Sequence, residues 1–198
     1  MRNTGHFKNK KITIVGLARS GLTAANLLYD LGADVSVTDN RDNALTRLNA
    51  SKLKSQITKV ELGRHSAEFI RNQDLIVVSP GVANTSLPII WAQKHNIPII
   101  SEIELGWVLC PATVIAVTGS NGKTTVVTLI GKILEASAKK VFILGNIGSP
   151  FCNELTKMEK GDFVSLEVSS FQLERIQKFK PKIAVMLNFS HNHLDRYK

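Results

Sequence analysis

Two stretches of this chain repeat one plan, and that plan limits the fold more than any other feature. Residues 11–15 (KITIV) form a short β-branched run. The loop Gly16-Leu-Ala-Arg-Ser-Gly21 follows at once, and Leu22, Ala25, Leu28 and Leu31 then recur at the spacing of one helix face. About 100 residues later, 113–117 (TVIAV) runs into Thr118-Gly-Ser-Asn-Gly122, and residues 123–136 carry Val127, Ile130, Ile133 and Leu134 along one predicted face. A further apolar run follows each helix, at 35–38 (VSVT) and at 141–144. Strand, glycine turn, helix and strand make a βαβ unit, and such units build parallel sheets. The expected class is α/β, in two domains: 1–110 and 111–198, with the boundary at Cys110-Pro111.

The remaining pattern fits that class. Residues 60–62 read as a weak strand and 75–78 (LIVV) as a buried one, closed by Ser79-Pro80-Gly81. A helix is expected over 87–95 and a strand over 97–100. Gly32 is placed to end the first helix. Ser101 is placed to cap a short helix through Trp107, with Glu104 completing a capping box. Strands are expected at 163–168 and 183–187. Nothing after the last of them closes a sheet, so the second domain reads as incomplete.

Composition excludes several classes. With 43% hydrophobic and 21% charged residues, a packed core is within reach and global disorder is not expected. The net charge is +9, but Arg2, Lys8, Lys10 and Lys11 concentrate part of it in an acid-free start. Only 6% of residues are aromatic, which argues against a nucleic-acid surface. The basic balance suits phosphorylated small molecules equally well. No apolar run approaches the ~18 residues of a membrane span, so no membrane insertion is expected. The first eleven residues lack the apolar core of a secretory signal. Cys110 and Cys152 stand far apart in no CxxC pattern, so reduced thiols in a cytoplasmic protein are expected.

The residues with chemistry cluster after strands. In Thr118-Gly-Ser-Asn-Gly-Lys-Thr-Thr125, the amides of Gly119, Ser120, Asn121 and Gly122 can form an anion nest at a helix N-terminus. Lys123 would meet phosphates and is expected to face solvent unpaired. The Thr124 hydroxyl is placed for Mg²⁺, with Thr125 beside it. In the first loop, Gly16-x-Ala18-x-x-Gly21 approximates a dinucleotide fingerprint, and Asp39 ends the next strand, where an acid normally meets a ribose. Close packing of helix on strand would produce the same glycines. Glu167 ends an apolar strand, where a carboxylate needs a cation or an exit from the core. His191-x-His193 alone lacks the spacing partners of a zinc site.

TGSNGKTT, GNIG (145–148), LEVSSFQLE (166–174) and NFSHNHLDRY (188–197), with SPGV (79–82) and EIEL (102–105), resemble the Mur ligases, the ATP-dependent amide-bond synthetases of peptidoglycan assembly. The likeness is greatest to the branch that adds D-glutamate. It implies a Rossmann-like parallel-sheet domain holding a UDP-linked substrate, UDP-N-acetylmuramoyl-L-alanine, followed by a partial P-loop-type α/β ATPase domain. Arg19 and Ser20 would approach the diphosphate, and Asp39, Asn40 and Arg41 the uridine. Pro80 and Gly81 would line the crevice. Lys123 and Thr124 would hold ATP phosphates and Mg²⁺. Asn146, Glu167, Ser169 and His193 would line the metal and acyl-phosphate site.

A monomer is expected. The resemblance implies that a C-terminal amino-acid-binding domain, an adenine pocket and a carbamylated lysine lie outside these 198 residues. Asn192 stands where the family carries Asp. A non-catalytic nucleotide-binding fragment and a nicotinamide-dependent oxidoreductase are the competing readings.

Overall fold

The computed structural model describes residues 1–57 and 59–191. The first half runs Lys11–Val15 (β1), Arg19–Asp30 (α1), Asp34–Asp39 (β2), Ala44–Ala50 (α2), Lys59–Leu62 (β3), Leu75–Val78 (β4), Leu87–Lys94 (α3), Ile99–Ser101 (β5) and Glu102–Leu109 (α4). The second half runs Thr113–Thr118 (β6), Lys123–Ala136 (α5), Val141–Gly145 (β7), Phe163–Glu167 (β8), Ser170–Leu173 (α6) and Ile183–Met186 (β9).

Two parallel sheets result, ordered β3-β2-β1-β4-β5 and β7-β8-β6-β9. β1 and β4 are buried along nearly their whole length, as strands covered on both faces must be, and this is why they read as continuous apolar runs. In the first sheet the chain order reverses between β1 and β4. In such sheets that reversal opens a ligand crevice beyond the carboxyl ends of the strands.

Several local expectations need correcting. α1 begins at Arg19 rather than Leu22, so the last residues of the glycine loop form its first turn. β5 is shifted to Ile99–Ser101, and α4 continues to Leu109. Ile133 is 57% exposed. At 100° per residue it lies about 120° around the axis from Val127, off the stripe that packs on the sheet. The Ser101 hydroxyl does accept the Glu104 N–H, at 3.3 Å, but the reciprocal half of the capping box is missing. The Glu104 carboxylate turns away instead, to accept the N–H groups of Gln177, Lys178 and Phe179 at 2.8–3.0 Å.

That bond set crosses from the first half to the second, and it has company. Ser101 N–H donates to the Arg175 carbonyl at 3.0 Å along the outer edge of β5. Glu102, the other acid of α4, accepts the Cys152 N–H at 2.6 Å from the turn Phe151–Lys157. Phe151, Leu155 and Met158 join Leu27 and Leu28 of α1 and Leu105 and Leu109 of α4 in one core cluster that extends through both sheets. Cys110 and Cys152 are buried, free thiols at this junction.

Candidate functional site

β6, β7 and β8 end side by side, with Val117 and Gly145 both in register with Glu167. Everything these three strands deliver at their carboxyl ends therefore meets. β6 delivers the glycine loop, and Gly122, in the left-handed region at φ 82°, turns the chain into α5. β8 delivers Glu167, 2% exposed. The Thr124 hydroxyl donates to Glu167 Oε2 at 2.7 Å, and the Asn146 amide, just past β7, donates to Oε1 at 2.9 Å. A buried carboxylate thus has both oxygens satisfied by neutral donors.

Lys123 is not free. Its ammonium donates to the carbonyls of Gly119 (2.7 Å) and Ser120 (3.2 Å), folding back over the loop that it follows. Those two carbonyls take two of the ammonium's three donors. Gly119 and Ser120 are half-buried, and Asn121 and Thr125 are exposed at the mouth of the loop. Ser169 is half-buried and caps α6, in a reciprocal capping box with Gln172. His193 and its neighbour Asn192 lie outside the described residues.

Sequence reasoning did not single out Asn188. Its carboxamide brackets residue 121, accepting the Asn121 N–H at 2.8 Å and donating to the Asn121 carbonyl at 3.0 Å. Its own carbonyl accepts the Ser120 N–H at 3.1 Å. The segment after β9 therefore splints the glycine loop from outside. The only available signal was its place at the head of the NFSHNH motif.

The first sheet presents a second cluster. Asp39, 2% exposed, accepts the Leu17 N–H at 2.7 Å on one oxygen and the Arg41 N–H at 2.8 Å on the other, with the Arg41 guanidinium Nε at 3.4 Å. The acid expected to meet a ribose thus also fastens the glycine loop. Ser79, at the end of β4, donates its hydroxyl to the Gly16 carbonyl at 2.8 Å, and Asn49 of α2 donates to the Leu17 carbonyl at 2.8 Å. Ser20 sits in the first turn of α1, while Asn40 and Gly81 are exposed at the rim and Pro80 is half-buried there.

Beside Asp39, Thr38 Oγ1 meets His65 Nδ1 at 2.8 Å. Burial pushes the His65 imidazole below its ordinary value against the pull of Asp39 and Glu61. For Glu61 burial acts upward, but hydrogen bonds from Ser66 and Arg64 outweigh it and hold the carboxyl below its usual range. The two clusters are linked directly: Arg19 Nη1 donates to the Gly148 carbonyl at 2.9 Å, joining α1 to the GNIG loop after β7.

The donor set at Glu167 suits a hard cation. A carboxylate and a hydroxyl 2.7 Å apart beside an anion nest are the oxygen ligands Mg²⁺ takes when it keeps waters and phosphate oxygens as its other partners. Among the described residues no three His, Cys, Asp or Glu side chains gather into a group that could hold a metal ion by themselves.

Residues 10–101 match the family description "Mur ligase MurD-like, N-terminal domain", and residues 117–198 match "Mur ligase middle domain". A UDP-N-acetylmuramoylalanine–D-glutamate ligase of Geotalea daltonii is 44% identical over 190 residues, which is 96% of this chain and 42% of that protein. One from Geotalea uraniireducens is 46% identical over 189 residues, with the same two coverages. This chain therefore spans less than half the length of these relatives. Among solved structures, a UDP-N-acetylmuramate–alanine ligase of Thermotoga maritima superposes with a TM-score of 0.56 at 22% identity, covering 96% of this chain and 44% of that one, a likeness of fold. With two adjoining domain descriptions of one family matched in order, and relatives above 40% identity along almost its whole length, the chain belongs to the Mur ligases.

Proposed function

We propose that this chain carries the nucleotide-sugar-holding and ATP-phosphate-holding parts of a ligase that joins D-glutamate to UDP-N-acetylmuramoyl-L-alanine in peptidoglycan synthesis. Residues 1–110 hold the UDP portion and residues 111–198 the triphosphate, in a cytoplasmic monomer. The observation that carries this reading is the convergence of Thr124, Asn146 and Glu167 at the mouth of a lysine-bearing anion nest, with Arg19 reaching across from the first sheet.

In the overall reaction the γ-phosphoryl group of ATP passes to the substrate carboxylate, giving ADP and an acyl phosphate. The amine of D-glutamate then attacks the acyl carbon, and inorganic phosphate leaves. Phosphoryl transfer of this kind asks a protein mainly for positioning and charge neutralisation. The loop amides of residues 119–122 orient the phosphates, and Lys123 exchanges its two carbonyl acceptors for phosphate oxygens. Thr124 and Glu167, with His193, are the residues that would hold Mg²⁺, which would supply charge neutralisation to the phosphates. Asn146 keeps Glu167 oriented. Arg19 and Ser20 address the substrate diphosphate, and Asp39, Asn40 and Arg41 the uridine. Pro80 and Gly81 form the crevice wall, with Ser169 on the side of the reacting carboxylate.

Calorimetric titration tests the reading. UDP-N-acetylmuramoyl-L-alanine should bind, and NAD should bind far more weakly or not at all. Tighter binding of NAD would replace the ligase reading with an oxidoreductase one.

A further inference from the structure

Arg19 offers more than a charge at the start of α1. Its Nη1 is held by the Gly148 carbonyl at 2.9 Å, and among the described residues its Nε and Nη2 make no hydrogen bond. Those two donors share one edge of the planar guanidinium, the edge suited to two oxygens of a single oxyanion. The carbonyl that holds Arg19 belongs to a stiff loop. Gly145 N–H donates to the Ser149 carbonyl at 2.9 Å, and Asn146 N–H donates to the Glu167 carbonyl at 2.9 Å, so the turn is fastened near both ends. Within the same turn the Asn146 side chain grips the Glu167 carboxylate, which is also held by Thr124 at the start of α5. An unbroken path of hydrogen bonds and short backbone links thus runs from the guanidinium in the first sheet to the phosphate loop in the second.

We propose that Arg19 is a ligand-binding residue shared by the two sheets: the Gly148 carbonyl presets its guanidinium for a nucleoside diphosphate, so that occupancy of the triphosphate loop strengthens diphosphate binding at α1. The inference rests on the diphosphate reading of the first crevice. Its physical basis is preorganisation. An arginine at the surface loses much rotamer freedom when it grips an anion, and the carbonyl bond has already removed part of that freedom. Engagement of Thr124 and Glu167 by a magnesium–triphosphate steadies Asn146 and the turn carrying Gly148, and so steadies Arg19. By linkage, the diphosphate strengthens triphosphate binding by the same factor.

The experiment is calorimetry on the 198-residue chain, with UDP as the probe, in the presence and absence of Mg²⁺ and a non-hydrolysable ATP analogue. In the wild type the analogue should tighten UDP binding by about fivefold or more, at the lower end of ordinary allosteric coupling. Arg19→Lys keeps the positive charge but cannot serve a carbonyl and a bidentate oxyanion together. It should retain measurable UDP affinity and lose the tightening. UMP, which lacks the second phosphate, should show little tightening with either protein. The proposal is overturned if the wild type shows no tightening, or if Arg19→Lys keeps it in full. Failure of UDP to bind the wild type at all would instead overturn the diphosphate reading, and the coupling with it.

Discussion

The backbone of the glycine loop after β1 is fastened by side chains from three neighbouring elements, whereas the loop after β6 is splinted by the single segment that follows β9. In the first, Asp39, Asn49 and Ser79 each fasten a backbone group of residues 16 or 17. In the second, Asn188 and Ser190 hold residues 120 and 121 from outside, and the loop's own lysine fills the space on the inner side. The helices that follow differ in the same sense. α1 buries Gly21, Ala24, Ala25, Leu27 and Leu28, while α5, two residues longer, buries only Val127 and Gly131. One sequence plan has produced a rigid socket in one place and an adjustable nest in the other. What separates them is the polar side chains supplied by neighbouring strands and turns, not the glycines themselves.

Alanine at the two helix-entry glycines is the strongest way to break this comparison. A Cβ on Gly21 would lie 1.9 Å from the Gly16 carbonyl oxygen and 2.9 Å from Ser79 Oγ, with backbone as the main obstacle. Gly21→Ala should cost at least ~3 kcal/mol, the severe end of overpacking. At Gly122 the nearest atom would be Leu187 Cδ1 at 3.6 Å, and only the positive φ of 82° is unfavourable. Gly122→Ala should cost ~1 kcal/mol. Urea unfolding midpoints decide the matter, and equal losses would mean that the two loops are equally confined.

The joint between the regions gives the next largest effect. Glu102 is fully buried, its Oε2 has no hydrogen-bond partner among the described residues, and burial pushes its carboxyl up to about 7, against the opposing pull of the Cys152 N–H and thiol. Since the folded value lies above the unfolded one, its contribution to stability is complete below pH ~4.5 and is lost as pH rises to ~7, with no further change above. The change across that window should amount to ~3 kcal/mol for this one group. Glu102→Gln should remove it from the pH dependence of unfolding, and a slope that survives the substitution would assign the titration elsewhere.

Lys123→Ala sharpens the comparison from the other side, with a small effect on stability. Two hydrogen bonds to loop carbonyls are lost, but both acceptors stay near solvent, so the cost should be ~1 kcal/mol. Triphosphate affinity should fall by roughly tenfold or more, the scale of a charged hydrogen bond. An unchanged affinity would reduce the loop to a turn.

Elements with strong periodicity were legible from the sequence. β1, β4 and α5 stand where the apolar runs and the glycine loops put them. α2 was not legible, because its buried residues are Thr46 and Asn49 rather than an apolar stripe, and its start depends on a capping box between Asn43 and Thr46. The turn Phe151–Lys157 was missed because its apolar side chains pack across the junction, a contact that local spacing does not encode. At the candidate site, the convergence of Thr124, Asn146 and Glu167 follows from strand order and was foreshadowed by the motifs. The bonds of Lys123 to its own loop and the fastening duty of Asp39 were not, since both depend on which acceptor or donor is nearest once the chain has folded.

The grip of Glu104 on residues 177–179 has a consequence for exchange with solvent. Those three amides lie outside any helix or strand and would ordinarily trade their hydrogens quickly. Here they point into a carboxylate that is 2% exposed and belongs to the other half of the chain. Their protons should be released only when the two sheets draw apart, so the exchange rate of three loop amides becomes a clock for the opening of the whole junction.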